Sequence, residues 1–210
     1  MSNVQTDLEV LQEFIAIDVV LLPDYQMTKE AILLNKRWDG SDKMPLNKTN
    51  CLPHITLGMG AIARQQLPKV AEKLQTLTTT LPPFSMTVSG IYQIELPNGS
   101  TVFGLDYERT DYLQQLHQDT MEIVMPFLVP PTPNSIDPIR GLDPITLATI
   151  ADFPKKGSGE QYRPHLTLGF GQLPSLTTIT LNSTIEGLFI CQLANYCTCA
   201  SLLKSFPFKL

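Results

Sequence analysis

Apolar residues fall in runs whose spacing switches between the strand period and the helix period. Residues 14–22, FIAIDVVLL, form a nearly unbroken β-branched and apolar run, the pattern of a buried strand. Residues 28–38, TKEAILLNKRW, predict a helix with Thr28 as its N-cap. The polar stretch 39–53, with Gly40, Pro45 and Pro53, predicts a loop, and a strand follows over 54–59. Leu67, Val70, Ala71, Leu74 and Leu77 stand at helical spacing within 65–79. Residues 84–95 and 101–108 are β-rich runs flanking Pro97-Asn98-Gly99-Ser100, and Asn-Gly between such runs signals a hairpin. Leu113, Leu116, Thr120, Ile123, Val124 and Phe127 predict a helix over 111–127. The proline-rich stretch 129–161, with KKGSGE near its end, predicts a long loop, usually functional or disordered in a compact domain. Strands are predicted over 165–170, 185–193 and 197–206.

One octapeptide occurs twice in this pattern. Residues 53–60 read PHITLGMG and residues 164–171 read PHLTLGFG, identical at six of eight positions. Leu67-Pro68 follows the first copy and Leu173-Pro174 the second. Further on, Gly90-Ile91-Tyr92 precedes Leu96 and Asn98, and Gly187-Leu188-Phe189 precedes Leu193 and Asn195 at the same offsets. The chain therefore reads as one bilobal unit over 1–210. Its related halves run roughly from 14 to 108 and from 111 to 210, packed about a pseudo-twofold axis that sets the two motif strands face to face.

Composition narrows the function classes. With 43% apolar and 17% charged residues, 210 residues suffice for a sizeable core. The net charge of −5 argues against binding nucleic acid through bulk charge. The charge is uneven: residues 29–73 carry eight basic and four acidic residues, and residues 95–143 carry two and eight. The first motif thus lies in a positive stretch with room for one anion. The acidic start MSNVQTDLEVLQEF has no apolar core, so no secretory signal is expected, and no apolar run nears the roughly 20 residues of a membrane span. Cys51, Cys191, Cys197 and Cys199 fit neither zinc spacing nor a disulfide framework; they are expected to be free thiols in a reducing cytoplasm.

The repeated motif carries the chemistry. Side chains alternate along a strand, so His54 and Thr56 share one face, and His165 and Thr167 another, each opposite an apolar core face. Gly58 and Gly169 are expected to leave room beside the site. Two imidazoles and two hydroxyls around one cavity suit an oxygen-rich anionic centre. One neutral ring takes a proton from the nucleophile and one protonated ring gives a proton to the leaving oxygen. The hydroxyls donate to non-bridging oxygens. No metal ligand set and no cofactor motif is present in either octapeptide. His117, in a predicted helix, reads as a solvated or capping residue.

These two H-x-T motifs, each entered by Pro-His and set half a chain apart, resemble the 2H phosphoesterase superfamily. That superfamily includes bacterial RNA 2′,3′-cyclic phosphodiesterases of the 2′-5′ RNA ligase group and plant cyclic phosphodiesterases. The resemblance covers most of the chain, including the strand FIAID and the ending GLFICQLANYCTCASLLKSFPF. It implies an α+β fold, with antiparallel sheets in two lobes around a central cleft and helices outside. It implies metal-independent opening of 2′,3′-cyclic phosphodiesters on RNA ends or small nucleotides. His54 and His165 would be the catalytic pair, and Thr56 and Thr167 the phosphate holders. The alternatives are 2′-5′ RNA ligase or 2′-5′ phosphodiesterase activity at the same site, or a module that binds a phosphorylated ligand without turnover. Arg163, Tyr162 and Lys48 are auxiliary candidates, and Lys155-Lys156-Gly157-Ser158-Gly159 reads as a solvated tip. Trp38 reads as core. The protein is read as a monomer without membrane contact.

Overall fold

The structure, a computed structural model, describes residues 13–37, 43–96, 99–136, 142–171 and 182–209. Trp38, the Pro97-Asn98 half of the hairpin turn and Leu173-Pro174 lie outside these residues. In chain order the strands are β1 (Phe14–Leu21), β2 (Ile55–Ala63), β3 (Phe84–Glu95), β4 (Thr101–Tyr107), β5 (Leu128–Val129), β6 (His165–Phe170), β7 (Asn182–Ile185), β8 (Gly187–Leu193) and β9 (Cys199–Pro207). The helices are α1 (Tyr25–Arg37), α2 (Leu67–Thr78), α3 (Asp111–Val124) and α4 (Pro144–Lys156).

Two antiparallel sheets result, ordered β5-β2-β1-β8-β9 and β6-β4-β3-β7. The fold is α+β, as the motif resemblance implies. Each sheet draws strands from both parts of the chain, so the sequence halves do not map one to one onto the sheets. The registers nevertheless correspond. Val20 pairs with Thr56 and with Phe189 in the first sheet. Gly104 pairs with Thr167 and with Tyr92 in the second. Ile15, Ile17, Val19 and Leu21 of β1 join Leu57, Phe103, Leu105, Leu166 and Leu168 in one core reached from both sheets. Each such side chain contributes about 1.5–3 kcal/mol when fully buried.

Several elements differ from the sequence reading. Helix α1 starts three residues before Thr28 because Asp24 caps it, its Oδ1 accepting the Met27 N–H at 2.9 Å. Thr28 instead donates its hydroxyl to the Pro23 carbonyl at 3.0 Å. The strand expected over 185–193 is two strands, because the chain changes sheets at Glu186: Ile185 pairs with Phe84 and Leu188 with Leu21.

The expected loop 129–161 contains helix α4. Asp143 caps it by accepting the Ile145 N–H, and Pro144 opens the first turn, where its missing N–H costs nothing. Ile150 of α4 packs with Ala16, Met59 and Leu193. Proline density hid this helix, since Pro144 is a start signal and Pro154 falls near its end. Lys155 and Lys156, read as part of a solvated tip, close the helix, and Lys156 pairs with Asp152 at 2.7 Å.

Cys191 and Cys199 are not free thiols. They form a disulfide across β8 and β9, with Cα atoms 5.5 Å apart. Cys51 and Cys197 remain free. No helix among the described residues is long and apolar enough to cross a membrane.

Candidate functional site

The two motif strands lie in different sheets, β2 in the first and β6 in the second, and come together over one cavity of about 670 Å³. His54, Thr56, His165 and Thr167 all line it. The structure thus brings the four motif side chains to a single cavity.

Each motif carries the same irregularity. On β1, Val19 faces Gly58 and Val20 faces Thr56, leaving Leu57 unpaired. On β4, Phe103 faces Gly169 and Gly104 faces Thr167, leaving Leu168 unpaired. One extra residue resets the two-residue alternation. Met59 and Phe170, three residues after the threonines, thereby return to the cavity side, and both line it. For the same reason Gly58 does not leave room beside the site. It faces α3, where a Cβ would stand 2.8 Å from Met121 Sδ.

The imidazoles are held alike. His54 Nδ1 lies 2.7 Å from the Leu52 carbonyl, and His165 Nδ1 lies 2.8 Å from the Arg163 carbonyl. A carbonyl only accepts, so Nδ1 carries the proton and donates, leaving Nε2 as the nitrogen open to a ligand. Burial lowers the His54 pKa below its usual value; the Leu52 carbonyl opposes this and charge on the nearby His165 adds to it. Burial also lowers the His165 pKa, opposed by the Arg163 carbonyl and assisted by the Arg163 guanidinium. Both rings thus favour the neutral, proton-accepting form.

The hydroxyls have different partners. Thr56 Oγ1 donates to Asp18 Oδ2 at 2.6 Å, and His54 Nε2 stands 3.6 Å from the same oxygen. Asp18 is fully buried on β1, and burial raises its pKa well above the usual carboxylate value, only partly offset by Thr56. In the second half Thr167 Oγ1 meets the Tyr92 hydroxyl at 2.9 Å. Gly104 makes room for that ring, since a Cβ there would lie 2.7 Å from Tyr92 Cε1. Sequence reasoning missed Asp18 and Tyr92. Asp18 stands inside an apolar run, which was its signal, and Tyr92 is the residue at which the repeat departs from Phe189.

The auxiliary candidates separate. Arg163 lines the cavity, its Nε 3.1 Å from Asp106 Oδ1 and its guanidinium 4.4 Å above the Tyr92 ring. Tyr162 also lines the cavity but is 2% exposed, its ring stacked on His117 at 3.9 Å and its hydroxyl donating to the Thr56 carbonyl at 3.1 Å. Lys48 stands 4.1 Å above the Tyr25 ring and does not line the cavity. His117 is neither solvated nor a cap. It is fully buried, its Nδ1 donating to the Leu57 carbonyl at 2.6 Å and its Nε2 accepting the Gly159 N–H at 2.9 Å. It thereby ties the first motif to the segment that leads into the second. Among the described residues, no three His, Cys, Asp or Glu side chains are grouped to hold a metal ion.

No protein-family model and no curated protein matches the chain. Solved structures do. TT0787 of Thermus thermophilus aligns over 92% of this chain and 98% of its own, at 15% identity and a TM-score of 0.56. E. coli LigT, in its complex with NADP+, aligns over 94% of this chain and 100% of its own, at 14% identity and a TM-score of 0.56. The chain has the LigT-like fold. A third match is described as a phosphoesterase, at 12% identity over 92% of this chain and 98% of that one, with a TM-score of 0.53. In this LigT-like fold the cavity between the sheets holds both repeated motifs.

Proposed function

We propose that the cavity is the active site of a 2H phosphoesterase that opens 2′,3′-cyclic phosphodiesters by two-histidine acid–base catalysis. One observation carries the reading: both rings are pinned through Nδ1 to the carbonyl two residues back, and both line one cavity with a threonine beside each. One neutral imidazole takes a proton from water as the water oxygen bonds to phosphorus. The bond from phosphorus to one ribose oxygen breaks, and the other ring, protonated, delivers its proton to that oxygen. The product is a phosphate monoester. Thr167, accepting from the Tyr92 hydroxyl, donates to one non-bridging oxygen, Thr56 donates to the other once its hydroxyl turns from Asp18, and Arg163 adds positive charge at the rim. The reaction so written uses no metal and no cofactor. LigT structures contain 3′-AMP and ATP, which supports a nucleotide-like substrate here.

The test is hydrolysis of nucleoside 2′,3′-cyclic phosphates in EDTA, followed as appearance of the monophosphate. His54→Ala and His165→Ala are each expected to lose ~10²–10⁴-fold in kcat. Full activity in both variants would end the proposal. A cytoplasmic location belongs to the same set of expectations, and the Cys191–Cys199 bridge is the observation that weighs against it.

A further inference from the structure

The walls of the cavity away from the histidines describe the rest of the ligand. Helix α4 lines the cavity through Ile145, Thr149 and Phe153, and the β3–β4 hairpin lines it through Ile94, Leu96 and Val102. Ile94 is 40% exposed, a large apolar side chain left open beside the cavity. Phe170 and Tyr196 add two rings whose centroids are 5.0 Å apart. Tyr196 is held at φ 60°, a left-handed conformation that a bulky residue rarely adopts. The turn is fixed there by its own contacts: the Tyr196 N–H donates to Thr146 Oγ1 at 2.8 Å, and Thr146 donates to Asn195 Oδ1 at 2.8 Å.

Charge is sparse on these walls. Lys43, Lys156 and Arg163 line the cavity together with Asp143 and Asp152. Lys156 is engaged by Asp152, and Arg163 by Asp106 just behind it. Lys43 stands 5.6 Å above the Phe170 ring. Among the described residues these three cations are matched by three carboxylates, Asp143, Asp152 and Asp106, so the surplus positive charge is small and suits at most one phosphate. A polynucleotide needs a track of cations for its successive phosphates, and the stretch 95–143, which includes β4 and α3, is strongly acidic. A volume of about 670 Å³ falls in the range of sites that enclose a whole small ligand.

We infer that the substrate is a small, singly charged cyclic phosphodiester carrying one large apolar or aromatic group, which seats between α4 and the β3–β4 hairpin, and not the end of an RNA chain. This rests on the proposed chemistry at the histidines and adds the class of molecule they act on.

Three probes test it with the full chain: adenosine 2′,3′-cyclic phosphate, its N6-benzyl derivative, and an oligoadenylate ending in a 2′,3′-cyclic phosphate. The benzyl derivative is expected to have a kcat/KM roughly tenfold above the plain nucleotide, as filling an apolar pocket gives. The oligonucleotide is expected to fall below both. Ile145→Asp should erase the benzyl advantage, and Ile145→Val should retain it, which separates a wall contact from a folding defect. The kcat/KM of the small probes should stay nearly flat between about 50 and 200 mM salt, where polyanion binding falls steeply. An oligonucleotide preferred over the mononucleotide, or no benzyl advantage, would overturn the inference and leave the histidine chemistry standing. Turnover of none of the three would overturn that chemistry, and the inference with it.

Discussion

His117→Phe measures how firmly the two motif segments are tied together. Phenylalanine keeps a flat ring for the stack on Tyr162, 3.9 Å away, and removes both ring nitrogens. The Leu57 carbonyl, in the fully buried bulge of the first motif, then has lost its Nδ1 partner, a penalty of about 1–3 kcal/mol. The Gly159 N–H loses an acceptor but is half-buried and can turn toward water, so about 0.5–1.5 kcal/mol goes with it. Together these come to about 1.5–4.5 kcal/mol. With a urea m-value of ~2 kcal/mol/M, the unfolding midpoint drops by about 0.8–2.2 M. Tyr162→Phe, which loses only the hydroxyl bond to the Thr56 carbonyl, should drop it by roughly half a molar. A shift of under ~0.3 M for His117→Phe, with m unchanged, would show that the histidine is not the tie between the motifs. The kcat of the variant should fall roughly tenfold or more, since displacing one histidine relative to the other spoils the alignment that proton transfer needs.

The pKa values of His54 and His165 both lie below the usual histidine value, so the kcat/KM profile should be a bell whose two limbs, belonging to the pair, lie on the acid side of about pH 6.5; a bell centred above about pH 7 would contradict that. All three histidines have lowered folded pKa values, so their contribution to stability is complete above about pH 6.5 and lost as pH falls from there toward the folded values; urea midpoints measured across that window check it. Asp18 has the opposite sign: its raised folded pKa stabilises below about pH 3.8 and is lost as pH rises through the folded value, so Asp18→Asn should flatten that decline and raise the midpoint at about pH 8 while lowering kcat. Thiol titration of the unfolded, unreduced chain should find two reactive cysteines, Cys51 and Cys197, and a count of four would remove the bridge.

Much of the architecture was legible because it rests on local periodicity. The apolar run of β1, the helical spacing of α2 and α3 and the repeated octapeptide each state their element within a dozen residues. The pairing of the two motifs was legible because a rare residue type fell twice in one pattern. What escaped depends on contacts far apart in sequence. A bulge at Leu57 or Leu168 shows only against the partner strand. Asp18 is a lone acid in an apolar strand until Thr56, 38 residues on, meets it. The burial of His117 depends on Leu57 and Gly159, 60 and 42 residues away. Cys191 and Cys199 looked unpaired because the bulges that bring their Cα atoms to 5.5 Å leave no trace in the spacing.

The change of sheet at Glu186 has a consequence for how the protein is made. Strand β1 is centred in its sheet only when β8 arrives, about 170 residues later, and β3 waits for β7 in the same way. A nascent chain that has emerged through Phe170 holds both histidines and both threonines, yet β1 has only β2 beside it and β3 only β4, their other neighbours β8 and β7 still to come. Pairing over such separations is slow, and the unpaired edges are open to other chains meanwhile. The cavity should therefore be complete only once β7 and β8 have been made, and a chain truncated after Phe170 should be a client for chaperones.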